Sequence, residues 1–245
     1  MGITLAVFHT RLSVGNTASL QDNLFAGLVM VAGFIGLIGS RIIGFFTSRR
    51  LGTPQPASPQ WALMAPLVLP MLMAALMTLR LALPLAALCG IACGLLGLVQ
   101  TVRWWAKGTA KEPLLWTLHI GYAATAIGLI IMGFGQWIPK LMSPGVHFIA
   151  VGGIGLLTVS MMTRTALGHT GRQLYPAPKL MPTAFCLMVG ALFFRTLAAV
   201  MLTVHPTAYL HSLRCSGVLF AASLLLYAWR YIPWLTRPRL DGKPG

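Results

Sequence analysis

The chain has 245 residues, 57% of them hydrophobic and only 9% charged, with a formal net charge of +15 at pH 7. That balance excludes an ordinary soluble domain, whose charged share is about 25%. It also excludes a nucleic-acid module, because Lys and Arg stand in short groups at alternate ends of apolar runs and form no basic stripe; an anionic membrane leaflet suits this charge better.

Met1 to Phe8 is apolar but too short to cross a bilayer, and it lacks the charged start and cleavage site of a signal peptide. It reads as the stub of an earlier helix. Beyond it, windows of about 20 apolar residues predict about seven spans. They run from Leu24 to Phe46, Trp61 to Leu79, Leu83 to Trp105, Pro113 to Trp137, Pro144 to Ala166, Met181 to Val204, and Tyr209 to Ile232. Pro66 and Pro70 each remove a helix hydrogen bond and are expected to bend the second span. Arg80 and Pro84 leave a tight turn, which makes the second and third spans antiparallel neighbours. Only the loop from Thr47 to Gln60 has linker composition, and at that length it joins helices. The expectation is therefore an all-α polytopic transmembrane helix bundle, one domain over residues 1–245.

Orientation follows from basic residues near span ends. If the chain alternates, Arg49, Arg50, Arg103, Lys107, Lys111, Arg172, Lys179, Arg230, Arg237, Arg239 and Lys243 share one side, against Arg11, Arg80 and Lys140 on the other. This predicts an N-terminus outside and a C-terminus in the cytoplasm, in a bacterial inner membrane.

Four separated segments carry a family resemblance: RIIGFFTSRRL from Arg41 to Leu51, EPLLWTLHIG from Glu112 to Gly121, the run from His147 ending MMTRTALGHTGR at Arg172, and the C-terminal YIPWLTRPRLDGKPG. In order, they resemble the NnrS family of polytopic membrane proteins. The resemblance implies a haem- and copper-containing inner-membrane protein linked to nitric oxide and denitrification. Family members usually have about twelve spans, so this chain resembles a short or N-terminally truncated form. It also departs from the family in carrying Gly44 where a proline is usual.

The residues themselves limit the chemistry. The three acids, Asp22, Glu112 and Asp241, stand at or beyond helix ends, so an intramembrane carboxylate relay is not expected. No phosphate-binding glycine loop follows a strand. Cys89, Cys93, Cys186 and Cys215 form no disulfide framework. Cys89 and Cys93 are four apart on one helix face, which permits a soft-metal site, although small packing groups are the commoner use. C-x-x-C-H is absent, so any haem is held non-covalently, as haem b.

Neutral imidazole binds iron and copper, and the six histidines sort by depth. His147, His205 and His211 lie near the outer face with His9 beyond them; His119 and His169 lie near the inner face. One iron does not bridge both layers. Arg195 sits deep in the sixth span, where an unpaired charge costs several kcal/mol, and Arg214 is about one turn inside the last. Two haem propionates would answer both arginines, so His147, with His205 or His211, and Arg195 and Arg214 are expected to frame an outer haem pocket. The alternative is that Arg195 snorkels or binds backbone carbonyls.

At the inner face His119, on one side of its helix with Trp116 and Tyr122, could join His169, Met161 and Met162 as a copper(I) set of imidazole and thioether. The alternatives are hydrogen-bonding glue for His119 and core filling for the methionines. His169 has a further reading, as a helix C-terminus completed by Gly168, Gly171 and Arg172. Gly152, Gly153 and Gly155 read first as a close-packing face. Trp104, Trp105, Trp137, Trp229, Tyr231 and Trp234 read as interfacial anchors.

Three functions remain open: a haem- and copper-associated protein of nitric oxide metabolism, response or defence; a metal-free transporter or channel, suggested by the prolines of the second span and the glycines of the fifth; and a truncated partner chain without a complete metal site. The partners implied are the lipid bilayer, nitric oxide and other membrane subunits, with no nucleic acid.

Overall fold

A computed structural model describes residues 2–13, 20–202, 204–240 and 242, without the side chains of residues 3, 4 and 11. Met1, Asp241 and Lys243, and the side chain of Arg11, lie outside the described residues. Among those described there is no strand. The helices are α1 (Gly2–Ser13), α2 (Leu20–Leu51), α3 (Gln60–Leu79), α4 (Leu83–Trp104), α5 (Pro113–Gly135), α6 (Met142–His147), α7 (Leu156–His169), α8 (Leu180–Met201) and α9 (Pro206–Leu235). A π-helical segment, Phe148–Gly155, joins α6 to α7. Seven helical stretches are therefore long and apolar enough to cross a bilayer, the fifth running from Pro139 to His169. The chain is a multi-pass membrane protein, an all-α helix bundle.

Helices in lipid gain little from the hydrophobic effect between them, so close packing and hydrogen bonds must hold them together. Glycines supply the close packing. A Cβ on Gly36 of α2 would lie 2.6 Å from the Pro66 carbonyl oxygen of α3, and one on Gly90 of α4 would lie 2.9 Å from the Leu129 carbonyl oxygen of α5. The glycine face read from the fifth span is realised too: Gly152 and Gly153 are buried, the first against Ala124 and Leu192, the second against Thr125. α5 is the most enclosed span. Phe34, Val99, Val102 and Leu225 point outward, as lipid-facing residues do.

The two prolines expected to bend the second span lie inside α3. α3 runs as one helix through both prolines, whose rings are buried. Each proline lacks the N–H that would bond the carbonyl four residues earlier. Pro66 thereby frees the Ala62 carbonyl, which accepts Gln100 Nε2 at 2.6 Å. Pro70 frees the Pro66 carbonyl, which takes the Cys93 thiol at 4.0 Å. α4, the antiparallel neighbour, thus completes the backbone of α3, and Cys93 is a hydrogen-bond donor in that contact.

At the turn between them Arg80 adopts a left-handed conformation (φ 55), and its guanidinium reaches Asp22 of α2 at 2.6 Å. At the opposite end Arg50 of α2 reaches Glu112, just before α5, also at 2.6 Å. The C-terminus expected around His169 is formed: α7 ends there, Gly171 is left-handed (φ 68), and the Arg172 N–H bonds the Leu167 carbonyl at 2.9 Å.

Two expected interfacial anchors stand at span ends but are covered by neighbouring helices. Trp104 is buried, its ring 5.4 Å from that of Tyr122 in a cluster with Ile43 and Leu118. Tyr231 is fully buried and stacks on Tyr227 at 4.7 Å. Hydropathy places both at span ends, but the small faces of the neighbouring helices admit the rings: Gly44 stands against Trp104.

Candidate functional site

His147 closes α6 where the helix widens into its π segment, and Arg195 projects from α8 toward it. Arg195 Nε donates to His147 Nε2 at 3.2 Å, with both residues half-buried. A ring nitrogen that accepts is unprotonated, so this contact selects the tautomer with its proton on Nδ1.

Two buried serines set the depth of the remaining outer-layer residues. Ser216 and Ser223 of α9 donate to the carbonyls of Ala191 and Ala184 of α8, at 2.8 and 2.7 Å. That antiparallel register puts residue 212 level with Arg195 and His211 in the same layer. His211 and Arg214 are exposed on α9. His205, before the first turn of α9, is exposed as well and lies about 9 Å further along the axis from His211. The structure therefore joins His147 to Arg195, places His211 at their depth, and leaves His205 and Arg214 outside the contact.

His119 is buried in α5. Its Nδ1 donates to the Leu115 carbonyl at 3.0 Å, while its Nε2 is buried without a well-formed hydrogen bond, and the Trp104 backbone of α4 stands beside the ring. The Trp105 ring stands edge-on at 5.3 Å. With the proton on Nδ1, Nε2 carries a lone pair, the state in which histidine binds a metal; donation from the other nitrogen to a carbonyl is the usual way such a ligand is oriented.

The rest of the expected inner set is dispersed. Thr117 and Ser160 meet at 2.7 Å, which fixes the register of α5 against α7 and separates His119 from His169 by about 16 Å along the axis. A single ion does not span that gap. His169 is exposed at the helix end. Met161 packs on the cluster of Ile43, Trp104, Leu118 and Tyr122. Met162 turns to the exposed side of α7. Trp116 and Tyr122 also part company: Trp116 packs edge-on against Phe185, while Tyr122 faces Trp104. Among the described residues no three or more His, Cys, Asp or Glu side chains gather at metal-binding distance.

Sequence reasoning missed Arg164. It lies inside the fifth span and is buried, with Nη2 donating to the Leu114 carbonyl at 3.0 Å and to the Tyr175 hydroxyl at 3.3 Å. Its guanidinium lies 4.2 Å from the centre of the Phe46 ring. Arg50, already paired with Glu112, covers the Tyr175 ring at 4.1 Å. The available signal was a lone cation between Pro144 and Ala166, the same kind of signal that singled out Arg195.

An apolar groove of about 400 Å³ runs between α2 and the fifth span, lined by Phe34, Ile38, Gly39, Leu118, Ile154 and Met161 among others. Phe34 and Ile38 stand at its exposed side. Its inner wall reaches Leu118, the residue before His119.

Neither a curated protein nor a solved structure matches the chain. The family model described as NnrS protein matches residues 1–239. By that match over nearly its whole length, the chain belongs to the NnrS family of nitric-oxide-linked membrane proteins.

Proposed function

We propose that this protein serves nitric oxide metabolism, response or defence in the bacterial inner membrane, through haem in the outer histidine layer and copper at His119. The observation that carries the reading is the His147–Arg195 contact at 3.2 Å. A guanidinium at this depth calls for an anion, yet its partner is a neutral imidazole, and the described carboxylates, Asp22 and Glu112, are held by Arg80 and Arg50.

Haem fits this donor pair. His147 Nε2 has the unprotonated state that a ligand to haem iron needs, and Arg195, released from it, would pair with a propionate. Bound there, haem would supply an iron centre able to take nitric oxide as a ligand. His147 would hold the iron and Arg195 would supply the counter-charge. His119 supports the copper half, through a buried Nε2 that makes no well-formed hydrogen bond. The apolar groove lined by Leu118 and Met161 would admit a small uncharged molecule dissolved in lipid.

The transporter reading drew on a broken second span and on the glycines of the fifth. α3 is continuous and its freed carbonyls are bonded by Gln100 and Cys93, which removes the first of those two supports.

The test is the ultraviolet-visible spectrum of purified wild-type, His147→Ala and Arg195→Ala proteins. The reading requires a haem band in wild type, loss or displacement of that band in His147→Ala, and reduced haem content in Arg195→Ala. Equal haem content in all three would refute it.

A further inference from the structure

At the basic end of the bundle a cleft of about 750 Å³ opens between the start of α8 and the end of α9, lined by Lys179, Leu180, Trp229, Arg230, Pro233 and Trp234. Arg172, just beyond α7, adds a third cation: its guanidinium lies 4.2 Å from the centre of the Trp234 ring, and that of Arg230 lies 4.0 Å from the same centre. The two positive charges are thus at most about 8 Å apart, no further than the roughly 8 Å screening length of physiological salt. Like charges held that close repel, and an anion beside Arg230 relieves the repulsion. None of the ion pairs among the described residues involves Arg172, Lys179 or Arg230.

The walls of the cleft change character with depth. Lys179 and Arg230 are exposed at the mouth. Trp229 is 80% exposed on the outer surface of α9, one residue from Arg230. An indole at a span end sits at the headgroup level of a bilayer, so cations and indole together face a phosphate above and an acyl chain below.

We propose that this cleft binds the phosphate-bearing headgroup of an anionic phospholipid. Lys179 and Arg230 pair with the phosphate, Arg172 sets the local potential through Trp234, and Trp229 lies along the upper acyl chain. The assignment is independent of the haem and copper reading, since it lies in a different part of the bundle and uses none of those residues.

The test uses the full chain in detergent, titrated with phosphatidylglycerol, with phosphatidylcholine as the neutral control and inorganic phosphate as the free-anion control; the readouts are thermal stability and bound-lipid count by native mass spectrometry. Wild type should retain phosphatidylglycerol in preference to phosphatidylcholine, with a larger rise in Tm. Lys179→Gln/Arg230→Gln should weaken the phosphatidylglycerol affinity by roughly thirtyfold and leave the phosphatidylcholine response unchanged. Arg237→Gln, which removes an exposed charge at the same end but outside the cleft, should keep wild-type behaviour. Equal retention of the two lipids by wild type would overturn the proposal, as would an equal loss in Arg237→Gln. So would a response to inorganic phosphate matching that to phosphatidylglycerol, because the site would then recognise a free anion.

Discussion

Arg195 and His147 meet across two consecutive spans, 48 residues apart in sequence, the guanidinium donating to the imidazole at 3.2 Å. A hydrogen bond with one charged partner contributes about 1.5–3 kcal/mol, more than a neutral pair. Each residue depends on the other, so their effects are coupled. In haem-free protein, His147→Ala and Arg195→Ala should destabilise the fold separately, and the double variant should cost less than the sum by about 1.5–3 kcal/mol. Thermal unfolding of the four proteins in one detergent measures that coupling, and additivity would show that the contact contributes nothing.

Gln100 bridges three helices, taking the Tyr122 hydroxyl on Oε1 at 2.7 Å and giving Nε2 to the Ala62 carbonyl. Gln100→Leu should strand both groups inside the bundle at a cost of about 2–4 kcal/mol. Pro66→Ala restores the N–H that the Ala62 carbonyl lost, so adding it to Gln100→Leu should recover part of the stability. A melting temperature left unmoved by that second substitution would mean that Gln100 does not compensate for the proline.

Arg164 tests a different balance. Its guanidinium is buried against Phe46 and bonded to the Leu114 carbonyl, so the charge is stabilised by a ring face and backbone without a carboxylate. Arg164→Lys keeps the charge but loses the planar group that stacks on Phe46 while reaching two acceptors. It should therefore destabilise about as much as Arg164→Met, by several kcal/mol. Detergent-resistant yield and Tm decide; a lysine variant equal to wild type would reduce the residue to a point charge.

The seven spans were legible because lipid demands long apolar stretches, and hydropathy reads those directly. The expected start at Trp61 falls one residue inside α3, and the expected end at Trp105 one residue past α4. The glycine face of the fifth span and the helix end at His169 were legible for the same reason, since small residues and turn glycines act locally. What escaped was cross-helix pairing. Nothing near Gln100 in sequence announces the Ala62 carbonyl, and nothing near Arg164 announces Phe46 or Tyr175, because those contacts depend on which helices become neighbours. The outer set was half legible for that reason: depth sorting put His147 and Arg195 together, while Arg214 stands near that depth outside the contact and His205 lies about 9 Å further along the axis than His211.

Gly94 and Gly217 separate packing from propensity. A Cβ on Gly94 would collide with the Ala126 carbonyl oxygen and Ile130, whereas one on Gly217 meets nothing within 4 Å. Alanine is the better helix former in both places. Gly94→Ala should nevertheless lower stability by about 1–3 kcal/mol through overpacking, and Gly217→Ala should be neutral or mildly stabilising. Similar Tm shifts in the two variants would show that α4 and α5 do not approach as closely as Gly94 requires.

The inner histidines make a prediction of opposite outcomes for two residues that sequence reading had grouped together. His119 keeps its Nε2 buried without a well-formed hydrogen bond, with the ring oriented by the Leu115 carbonyl and the Trp104 backbone beside it. His169 is exposed about 16 Å away along the helix axis. If copper is held at His119, the other donors come from its own surroundings; of the expected set, Met161 packs on the cluster that holds Leu118 and Trp104, both beside His119. Metal analysis of purified protein should then show copper lost in His119→Ala, reduced in Met161→Leu, and retained in His169→Ala and Met162→Leu. Loss in His169→Ala with retention in His119→Ala would move the ion to the helix end, and equal copper in all four variants would leave His119 as hydrogen-bonding glue between α4 and α5.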